Sequence, residues 1–403
     1  MGFRAARGAR AGEEGIVAGA GTGTRIVGLG AVTGYGWGVE ALWQGLLSGK
    51  SAATLHPGYG PARDEQAWIA LVPDGGDPAD GGHRYIRAVR AAVREAVADA
   101  RKRGWQPGGT VGLVHAIVLG DVRDWRDFYT VDGGRRPARG YLTLLPSTPI
   151  ATLMREFGFH GPSMNVSAAC SSGNVAVLTA DLWLAAGMAD DVVVVTSDLS
   201  CTPEMVEHFV GLGAAVTDAD PLTACRPFQQ GSRGFVFGEA SAAMILSRTG
   251  GHAYARVLGG AMTNDAHHVV SIEPGHAHVL DCARTALARA GAGPDEVGYL
   301  NAHGTGTAQC DAAERDLVST VLGDRPWLHA IKPLTGHSQG AAAGVEIAVA
   351  ALVNERGLVP APPVVAPAHP RLLDGVRPFE GGLTLKSAIG MGGNNSALVL
   401  GPA

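Results

Sequence analysis

The sequence predicts an α/β protein in which strands and helices alternate along most of the chain. The segment Asp191–Asp198 contains four consecutive valines, which is typical of a strand buried on both faces. A second segment, Arg84–Arg103, has apolar side chains at helical spacing, among them Val89 and Val93. Segments of both kinds recur in each half of the chain. This alternation predicts two sheets that are covered by helices.

The other elements follow the same pattern in chain order. Residues 55–82 are rich in proline, glycine and aspartate, which predicts a loop. In the first half, the sequence predicts strands at 25–33, 111–119 and 240–246 and helices at 39–47 and 149–157. In the second half, it predicts strands at 253–258, 297–301, 383–387 and 396–400 and helices at 277–290, 312–322 and 340–353.

Three regions of the chain can be told apart by composition. Residues 1–24 are rich in glycine and alanine and predict a flexible N-terminal extension. The short segment Thr249–His252 consists of small and polar residues, so it is the best candidate for a boundary between two halves of the chain. The predicted domains are therefore 25–250, which contains the candidate nucleophile described below, and 251–403.

Composition also excludes several classes of function. The 403 residues are 46% hydrophobic and 17% charged, and a net charge of −5 with a pI of about 6.3 argues against nucleic-acid binding. The five cysteines form no Cys-x-x-Cys pair, which predicts a reducing compartment and neither disulfides nor a zinc site. The chain has no signal-like start and no apolar run of 18 residues. We therefore expect a cytoplasmic protein with no membrane segment.

The segment Asn165–Ala176 predicts a turn that delivers Cys170 to the first turn of a buried helix. The run after Cys170 is mostly apolar and ends at Gly187, as expected for a helix of about three to four turns. The helix dipole and the unpaired backbone N–H groups at such a position stabilise a thiolate, and they can later hold an oxyanion. Cys170 is therefore either a nucleophile with a lowered pKa or a small core residue, as most free cysteines are.

Two histidines in the second half occupy loops made of small residues. His303 follows a predicted strand, and His337 precedes a helix rich in glycine and alanine. A third loop, Ile389–Asn395, is rich in glycine, so its N–H groups can approach a ligand. Thr305 and Thr307 can hydrogen-bond a polar tether. A single buried histidine is usually structural, but two such loops together with a helix-capping cysteine favour nucleophilic catalysis.

These segments resemble the β-ketoacyl synthases of the thiolase superfamily, in particular the elongating group with a Cys-His-His site. The resemblance runs from about Arg25 to the C-terminus. It implies an α/β protein with a duplicated thiolase-like fold, layered αβαβα, that forms a dimer. The matching motifs are Ala169-Cys-Ser-Ser-Gly173, Arg226-Pro-Phe228, Gly234-Phe-Val-Phe-Gly-Glu239, His303-Gly-Thr-Gly-Thr307, Lys332 with Gly336-His337, and Gly390-Met-Gly-Gly-Asn-Asn395.

The resemblance also implies a reaction, the decarboxylative Claisen condensation of an acyl thioester with malonyl-ACP, where ACP is an acyl carrier protein. In this family pattern Cys170 takes the acyl chain as a thioester. His303 and His337 stabilise the enolate that forms when the malonyl group loses CO2. The backbone N–H groups of Cys170 and Met391 form the oxyanion hole.

Other residues are given supporting parts by the same resemblance. Lys332 is expected to pair with Glu314 and hold the site together. No metal ion and no resident cofactor are implied, because the phosphopantetheine arm belongs to the carrier protein. The implied substrate-binding residues are Phe235, Thr305, Thr307, Ile389 and Met391.

The expected partners are an acyl carrier protein and a second subunit, either another copy or a ketosynthase-like chain-length factor. Met391 stands where the family usually has phenylalanine, which implies a shifted acyl preference. Together with other departures from the family pattern, such as Arg233 where an aspartate is usual, it favours a specialised polyketide or fatty-acyl pathway. Two alternative functions stay open: a ketosynthase-like acyltransferase without decarboxylation, and a non-catalytic chain-length-factor subunit. The presence of Cys170, both histidines and Lys332 argues against each alternative.

The predicted helix at 84–103 carries four arginines on one side, at positions 84, 87, 90 and 94. One hypothesis is that this side docks the carrier protein, which is typically acidic, since complementary charge speeds association. The alternative is that it is a solvated face or a subunit contact. The sequence does not decide which arginines dock the carrier.

Overall fold

The computed structural model describes residues 23–131, 135 and 137–403. Strands and helices alternate in the first half, as the sequence predicted. The strands are β1 (Arg25–Thr33), β2 (Gly36–Trp37), β3 (Thr54–Tyr59), β4 (Glu65–Ile69), β5 (Val111–Ala116), β6 (Ser163–Val166), β7 (Asp191–Asp198) and β8 (Ala240–Ser247). The helices are α1 (Val39–Leu47), α2 (Arg84–Lys102), α3 (Val122–Thr130), α4 (Ala138–Leu142), α5 (Thr148–Phe157), α6 (Ser172–Ala185), α7 (Pro203–Gly211) and α8 (Pro221–Ala224).

The second half continues the alternation to the end of the chain. Its strands are β9 (Ala255–Asn264), β10 (Val297–Asn301), β11 (Trp327–His329), β12 (Leu358–Val359), β13 (Arg377–Pro378), β14 (Leu383–Gly390) and β15 (Asn394–Gly401). Its helices are α9 (Ala277–Ala290), α10 (Ala308–Thr320), α11 (Lys332–Thr335) and α12 (Ala342–Arg356).

Each half contributes five main strands to one large sheet, and the two sets are connected in the same way. The spatial order is β6-β5-β7-β8-β1 in the first half and β11-β10-β14-β15-β9 in the second. In each set the first three strands run parallel and the other neighbours are antiparallel. The sets join where β9 pairs with Arg25 and Ile26 of β1. Because order and direction both repeat, the fold is a duplication.

Helices form three layers around the two sets of strands, which gives the arrangement αβαβα. Helix α2 packs against β1 and β8 on one outer side, and α9 packs against β9 and β15 on the other. Helices α6 and α12 lie in the middle, where they contact each other and strands of both sets. Both middle helices are apolar around most of their circumference, as helices covered on several sides must be.

The two middle helices approach closely at their N-terminal ends through a pair of glycines. A Cβ atom at Gly173 would lie 2.5 Å from the backbone nitrogen of Gly344. A Cβ atom at Gly344 would lie 2.1 Å from Oγ1 of Thr196. Neither position can hold a side chain without displacing its neighbours. This contact fixes α6, which follows Cys170, against α12, which follows His337.

The prediction of a loop at residues 55–82 was wrong in part, since β3 and β4 form an antiparallel hairpin there. Pro57 and Gly58 lie within β3, and such residues usually interrupt strands. The hairpin is a two-stranded sheet apart from the large one, so β3 pairs only with β4 and its other edge can accommodate a proline. Its inner face packs against Phe235 and Phe237.

Three of the four arginines on this side of α2 are paired with carboxylates of the chain itself, which argues against the docking hypothesis for those three. Arg84 pairs with a buried carboxylate at 2.7 Å. Arg90 and Arg94 each pair with both Asp80 and Glu156. These carboxylates neutralise the arginines within the chain itself. Charge that is already paired has little attraction left for an acidic partner.

The predicted N-terminal extension falls outside the described residues, apart from Gly23 and Thr24. The division of the chain at residues 250 and 251 stays a prediction. Among the helices of the described part of the chain, none is both long and apolar enough to span a lipid bilayer.

Candidate active site

Cys170 lies in a tight turn between β6 and α6. The residue before it, Ala169, has a φ of 49°, a left-handed conformation that strains a residue with a Cβ atom. The N–H groups of Ser171 and Ser172 close the turn by donating to the carbonyls of Ala168 and Ala169, at 3.1 Å each. Helix α6 begins at Ser172. The helix thus starts slightly later than predicted, and Cys170 lies just before its N-terminal end.

The prediction that Cys170 has a lowered pKa was wrong. Burial raises the pKa of this thiol to about 11, and the nearby ammonium group of Lys332 acts in the opposite direction without overcoming burial. For a thiolate at this position, the free-energy cost of losing contact with water exceeds the stabilisation from the positive charge of Lys332. The sulfur therefore carries its proton at neutral pH and needs a proton acceptor when it reacts.

Two imidazoles from the second half of the chain lie next to the Cys170 sulfur. Nε2 of His337 is 3.1 Å from Sγ. The rings of His303 and His337 meet edge to face with their centroids 5.6 Å apart. Burial lowers the pKa of both histidines well below the usual value, and the charge of Lys332 lowers the pKa further. Both rings are therefore neutral at neutral pH, and each has one N–H donor.

The amine of Lys332 determines which nitrogen of His303 carries the proton. Its Nζ lies 3.3 Å from Nδ1 of His303 and also donates to the backbone carbonyl of the same residue. An ammonium group can only donate, so Nδ1 accepts and the ring proton is on Nε2. His303 can therefore donate a hydrogen bond from its other nitrogen.

Lys332 pairs with Glu346 of α12 and not with Glu314, so the predicted ion pair was wrong. The distance from Nζ of Lys332 to Oε1 of Glu346 is 2.5 Å. The second carboxylate oxygen of Glu346 lies 2.8 Å from Nζ of Lys386. All three side chains are buried. Glu346 therefore balances two buried ammonium groups behind the histidines.

Glu314 instead holds the loop that contains His303. Its carboxylate accepts the backbone N–H of His303 at 2.6 Å, the N–H of Gly304 at 2.8 Å and the hydroxyl of Ser387 at 2.6 Å. Such donors are what a buried carboxylate requires in place of water. Lys332 and Glu314 therefore support the same loop through separate contacts.

An open cavity of about 260 Å³ leads to these groups. All five residues that the sequence predicted to bind substrate line this cavity. The hydroxyl groups of Thr305 and Thr307 lie 2.9 Å apart on its wall. The ring of Phe235 meets that of His337 edge to face, with centroids 4.7 Å apart. The predicted site residues that line the cavity are Cys170, Phe235, His303, Thr305, Thr307, His337, Ile389 and Met391.

Sequence reasoning missed Glu346 and Lys386, although the sequence contains a signal for the first of them. Glu346 is the one charged residue in the apolar run 340–353. An acid in a helix that is buried on all sides must have a partner, because an unpaired buried charge is very unfavourable. The sequence does not say which lysine that partner is.

Iodoacetamide is expected to modify Cys170 before the other cysteines. Burial raises the pKa of all five thiols, to about 11 for Cys170 and about 12 for Cys225 and Cys282, and well above the usual value for Cys201 and Cys310. Because the thiolate fraction rises with pH below the pKa, we expect the labelling rate to increase about tenfold per pH unit. Peptide mass mapping after partial labelling gives the order. Cys310 also lines the cavity, so its modification ahead of Cys170 would contradict the prediction.

The duplicated αβαβα fold, with a cysteine from one half and two histidines from the other at a single cavity, defines a thiolase-like enzyme. The chain matches the family models described as the N-terminal and C-terminal domains of β-ketoacyl synthase, over residues 79–251 and 254–364. It is 31% identical over 423 residues to the putative polyketide β-ketoacyl synthase 1 of Streptomyces cyaneus, covering 94% of this chain and 98% of that one. The chain therefore belongs to the β-ketoacyl synthase family, whose enzymes are acyltransferases.

Solved structures share the same fold. One is a complex between the acyl-carrier protein of a type II polyketide synthase and its ketosynthase, with a TM-score of 0.83 and 24% identity over 94% of this chain and 99% of the matched chain. Another is a ketosynthase from Xenorhabdus doucetiae in complex with its chain length factor, with a TM-score of 0.82 and 24% identity over 95% of this chain and 98% of the matched chain.

Proposed function

We propose that the protein is a β-ketoacyl synthase that condenses an acyl thioester with malonyl-ACP, in polyketide or specialised fatty-acyl biosynthesis. The observation that supports this most directly is the meeting of one thiol and two imidazoles, with Sγ and one nitrogen of each ring within 4.8 Å of one another. A thiol can hold an acyl chain as a thioester, and two N–H donors can stabilise an enolate. The polyketide relative described above agrees with this reaction.

In the first half-reaction, Cys170 takes the acyl chain from its carrier. The sulfur attacks the carbonyl carbon, a new S–C bond forms, and the S–C bond to the carrier's pantetheine breaks. His337, whose Nε2 is 3.1 Å away, hydrogen-bonds the sulfur, and the thiol proton passes to the departing pantetheine sulfur. During this attack the carbonyl oxygen becomes an oxyanion, which accepts hydrogen bonds from the backbone N–H groups of Cys170 and Met391.

In the second half-reaction, the malonyl thioester loses CO2. Its C–C bond to the carboxylate breaks, and the electron pair becomes an enolate whose oxygen accepts hydrogen bonds from His303 and His337. The enolate carbon attacks the thioester on Cys170, so a C–C bond forms and the S–C bond to Cys170 breaks. The Cys170 thiolate then takes up a proton from solvent, and the lengthened chain leaves on the carrier.

Several residues hold the reacting groups in place in this scheme. Lys332 fixes the tautomer of His303, and Glu314 holds the backbone of the same loop. Thr305 and Thr307 contact the pantetheine arm with their hydroxyl groups. The residues that shape the wall around the thioester are Phe235, Ile389 and Met391.

We further propose that an acyl carrier protein delivers both substrates, and that the chain works as a dimer with itself or with a ketosynthase-like chain-length factor. The two solved complexes with the same fold support these partners. The phosphopantetheine arm of the carrier protein is the prosthetic group of the proposed reaction. The proposed reaction uses no cofactor or metal ion bound to this chain. All five cysteines are free, which supports work in the reducing cytoplasm.

Intact-mass spectrometry with loaded carrier proteins tests the proposed function. Mixing with acyl-ACP should add the mass of the acyl group to the wild-type chain but not to a Cys170→Ala variant. Subsequent addition of malonyl-ACP should release CO2 and yield a β-ketoacyl-ACP. Acyl transfer to an alcohol or amine without CO2 release would favour the acyltransferase alternative. A wild-type chain that takes no acyl group from any donor would favour the chain-length-factor alternative.

A further inference from the structure

The side chain of Gln339 lies beside the nucleophile, although the scheme above gives it no part. Gln339 begins a short 3-10 turn, Gln339–Ala341, that leads into α12. The residue is only 4% exposed. Its Oε1 lies 4.0 Å from Sγ of Cys170. Its amide nitrogen Nε2 has no hydrogen-bond partner within the described residues.

A buried amide without a partner is rare, and the backbone of Gln339 is unusual as well. Its φ of 47° is left-handed, a conformation that favours glycine or asparagine over glutamine. An unpaired buried N–H group also lowers the stability of the folded state. Unfavourable features that persist next to a reactive group indicate a functional requirement.

The position of Gln339 indicates which part of a substrate it meets. The open cavity leads from the surface to Cys170, and Gln339 is not among the residues that line it. The next residue, Gly340, packs against Ile117 and Val118 instead. A carrier's pantetheine arm has to enter through the open cavity. Because Gln339 does not line this cavity but lies 4.0 Å from Sγ, the part of a substrate closest to its amide is the acyl group bonded to Sγ.

Acylation changes the hydrogen bonding around this amide. In the free enzyme Oε1 faces the S–H group of Cys170. Once an acyl chain replaces that hydrogen, Oε1 of Gln339 loses its contact with the thiol, while Nε2 still has no partner within the described residues. A saturated chain offers it no polar atom, whereas a carbonyl or hydroxyl oxygen on the third carbon of the chain can accept a hydrogen bond from Nε2.

We propose that Gln339 is a specificity-determining residue that selects acyl chains with an oxygen near the thioester over saturated alkyl chains. The inference rests on the proposed function and adds the class of acyl substrate. A site that must leave a buried donor unpaired discriminates strongly against the substrate that lacks its acceptor. Gln339 acts on substrate choice and not on the bond-making steps.

The test compares acylation of Cys170 from two thioesters of equal chain length, butyryl- and 3-oxobutyryl-N-acetylcysteamine, followed by intact mass. Because the two donors differ in intrinsic reactivity, the readout is how a variant changes the ratio of their kcat/KM values. Gln339→Met keeps the length of the side chain and removes both polar atoms. We expect it to shift the ratio toward the butyryl donor by about tenfold, the effect of leaving one buried hydrogen bond unmade.

A second variant keeps the experiment decisive if methionine disturbs folding. Gln339→Glu retains Oε1 and replaces the donor nitrogen by an acceptor oxygen, so it should shift the ratio in the same direction. Gln106→Met, at an exposed position, is the matched control and should leave the ratio unchanged. A purely structural role for Gln339 predicts slower acylation from both donors at an unchanged ratio.

The possible failures are distinguishable. An unchanged ratio in both Gln339 variants would overturn the inference while the proposed function stands, since Cys170 would still be acylated. If neither donor nor any loaded carrier acylates the wild-type chain, the proposed function fails, and the inference fails with it.

Discussion

Replacing either His303 or His337 by alanine is expected to remove most malonyl decarboxylation while some acylation of Cys170 persists. The enolate oxygen would lose one of its two imidazole donors, and removing one such donor slows a reaction by roughly 100-fold or more. Acylation depends instead on the oxyanion hole of backbone N–H groups, which neither substitution removes. CO2 release from malonyl-ACP and the intact mass of the chain measure the two steps separately.

The control for this experiment is His278→Ala, since His278 is exposed and does not line the cavity. It should leave both CO2 release and acylation at the wild-type level. Undiminished CO2 release from both His303→Ala and His337→Ala would rule out the condensation scheme. It would leave acyl transfer without decarboxylation as the better account of the site.

Removing the carboxylate of Glu346 is expected to destabilise the whole protein. The variant Glu346→Ala leaves the amines of Lys332 and Lys386 buried with no balancing charge from this residue. Breaking a buried ion pair by removing one partner typically costs about 3–5 kcal/mol, because the remaining charge is uncompensated. Urea denaturation followed by circular dichroism measures the free energy of unfolding.

The pH dependence of that variant provides a second check. Burial already lowers the pKa of Lys386, and Glu346 opposes this effect. Without Glu346 the folded state binds the Lys386 proton less tightly than the unfolded state does, so the free energy of unfolding should rise with pH up to about 10.4, the usual lysine pKa. A loss of stability that does not change with pH would contradict this account.

Glu355→Ala supplies a matched control on the same helix. Glu355 pairs with Arg103 at 2.9 Å, but its side chain is 38% exposed. Exposed ion pairs contribute at most about 1 kcal/mol, so this variant should unfold close to the wild-type midpoint. An equal loss of stability in both variants would mean that helix α12 is sensitive to any change, and not that the buried charges matter.

The elements that the sequence predicted well are those with strong local patterns. Strands β7 and β10 have the bounds expected from their apolar runs. The hairpin β3–β4 was missed because Pro57 and Gly58 argue against a strand locally, while its stability comes from packing on phenylalanines far along the chain. Tertiary contacts of that kind override local preference.

The candidate site was predictable to the extent that its residues lie in recognisable loops. The structure brings Cys170, His303 and His337 together at one cavity, as the motifs led us to expect. The pKa of Cys170 was not predictable, because its direction depends on how deeply the thiol is buried. The partner of Lys332 was not predictable either. Glu314 and Glu346 are both acids near Lys332 in the sequence, and only the folded structure shows that Glu346 contacts the lysine while Glu314 binds the backbone of the His303 loop.

The contact between Gly173 and Gly344 also bears on how such a chain can change over evolutionary time. Its nucleophile lies in one copy of an internal duplication and its two histidines lie in the other. A sequence change that shifts one copy relative to the other therefore alters the active site. A new methyl group at either glycine widens the gap between the copies, and restoring that gap requires a second change in the other copy. Sequence variation at these two contacts is therefore expected to occur in pairs, even though neither glycine lines the cavity.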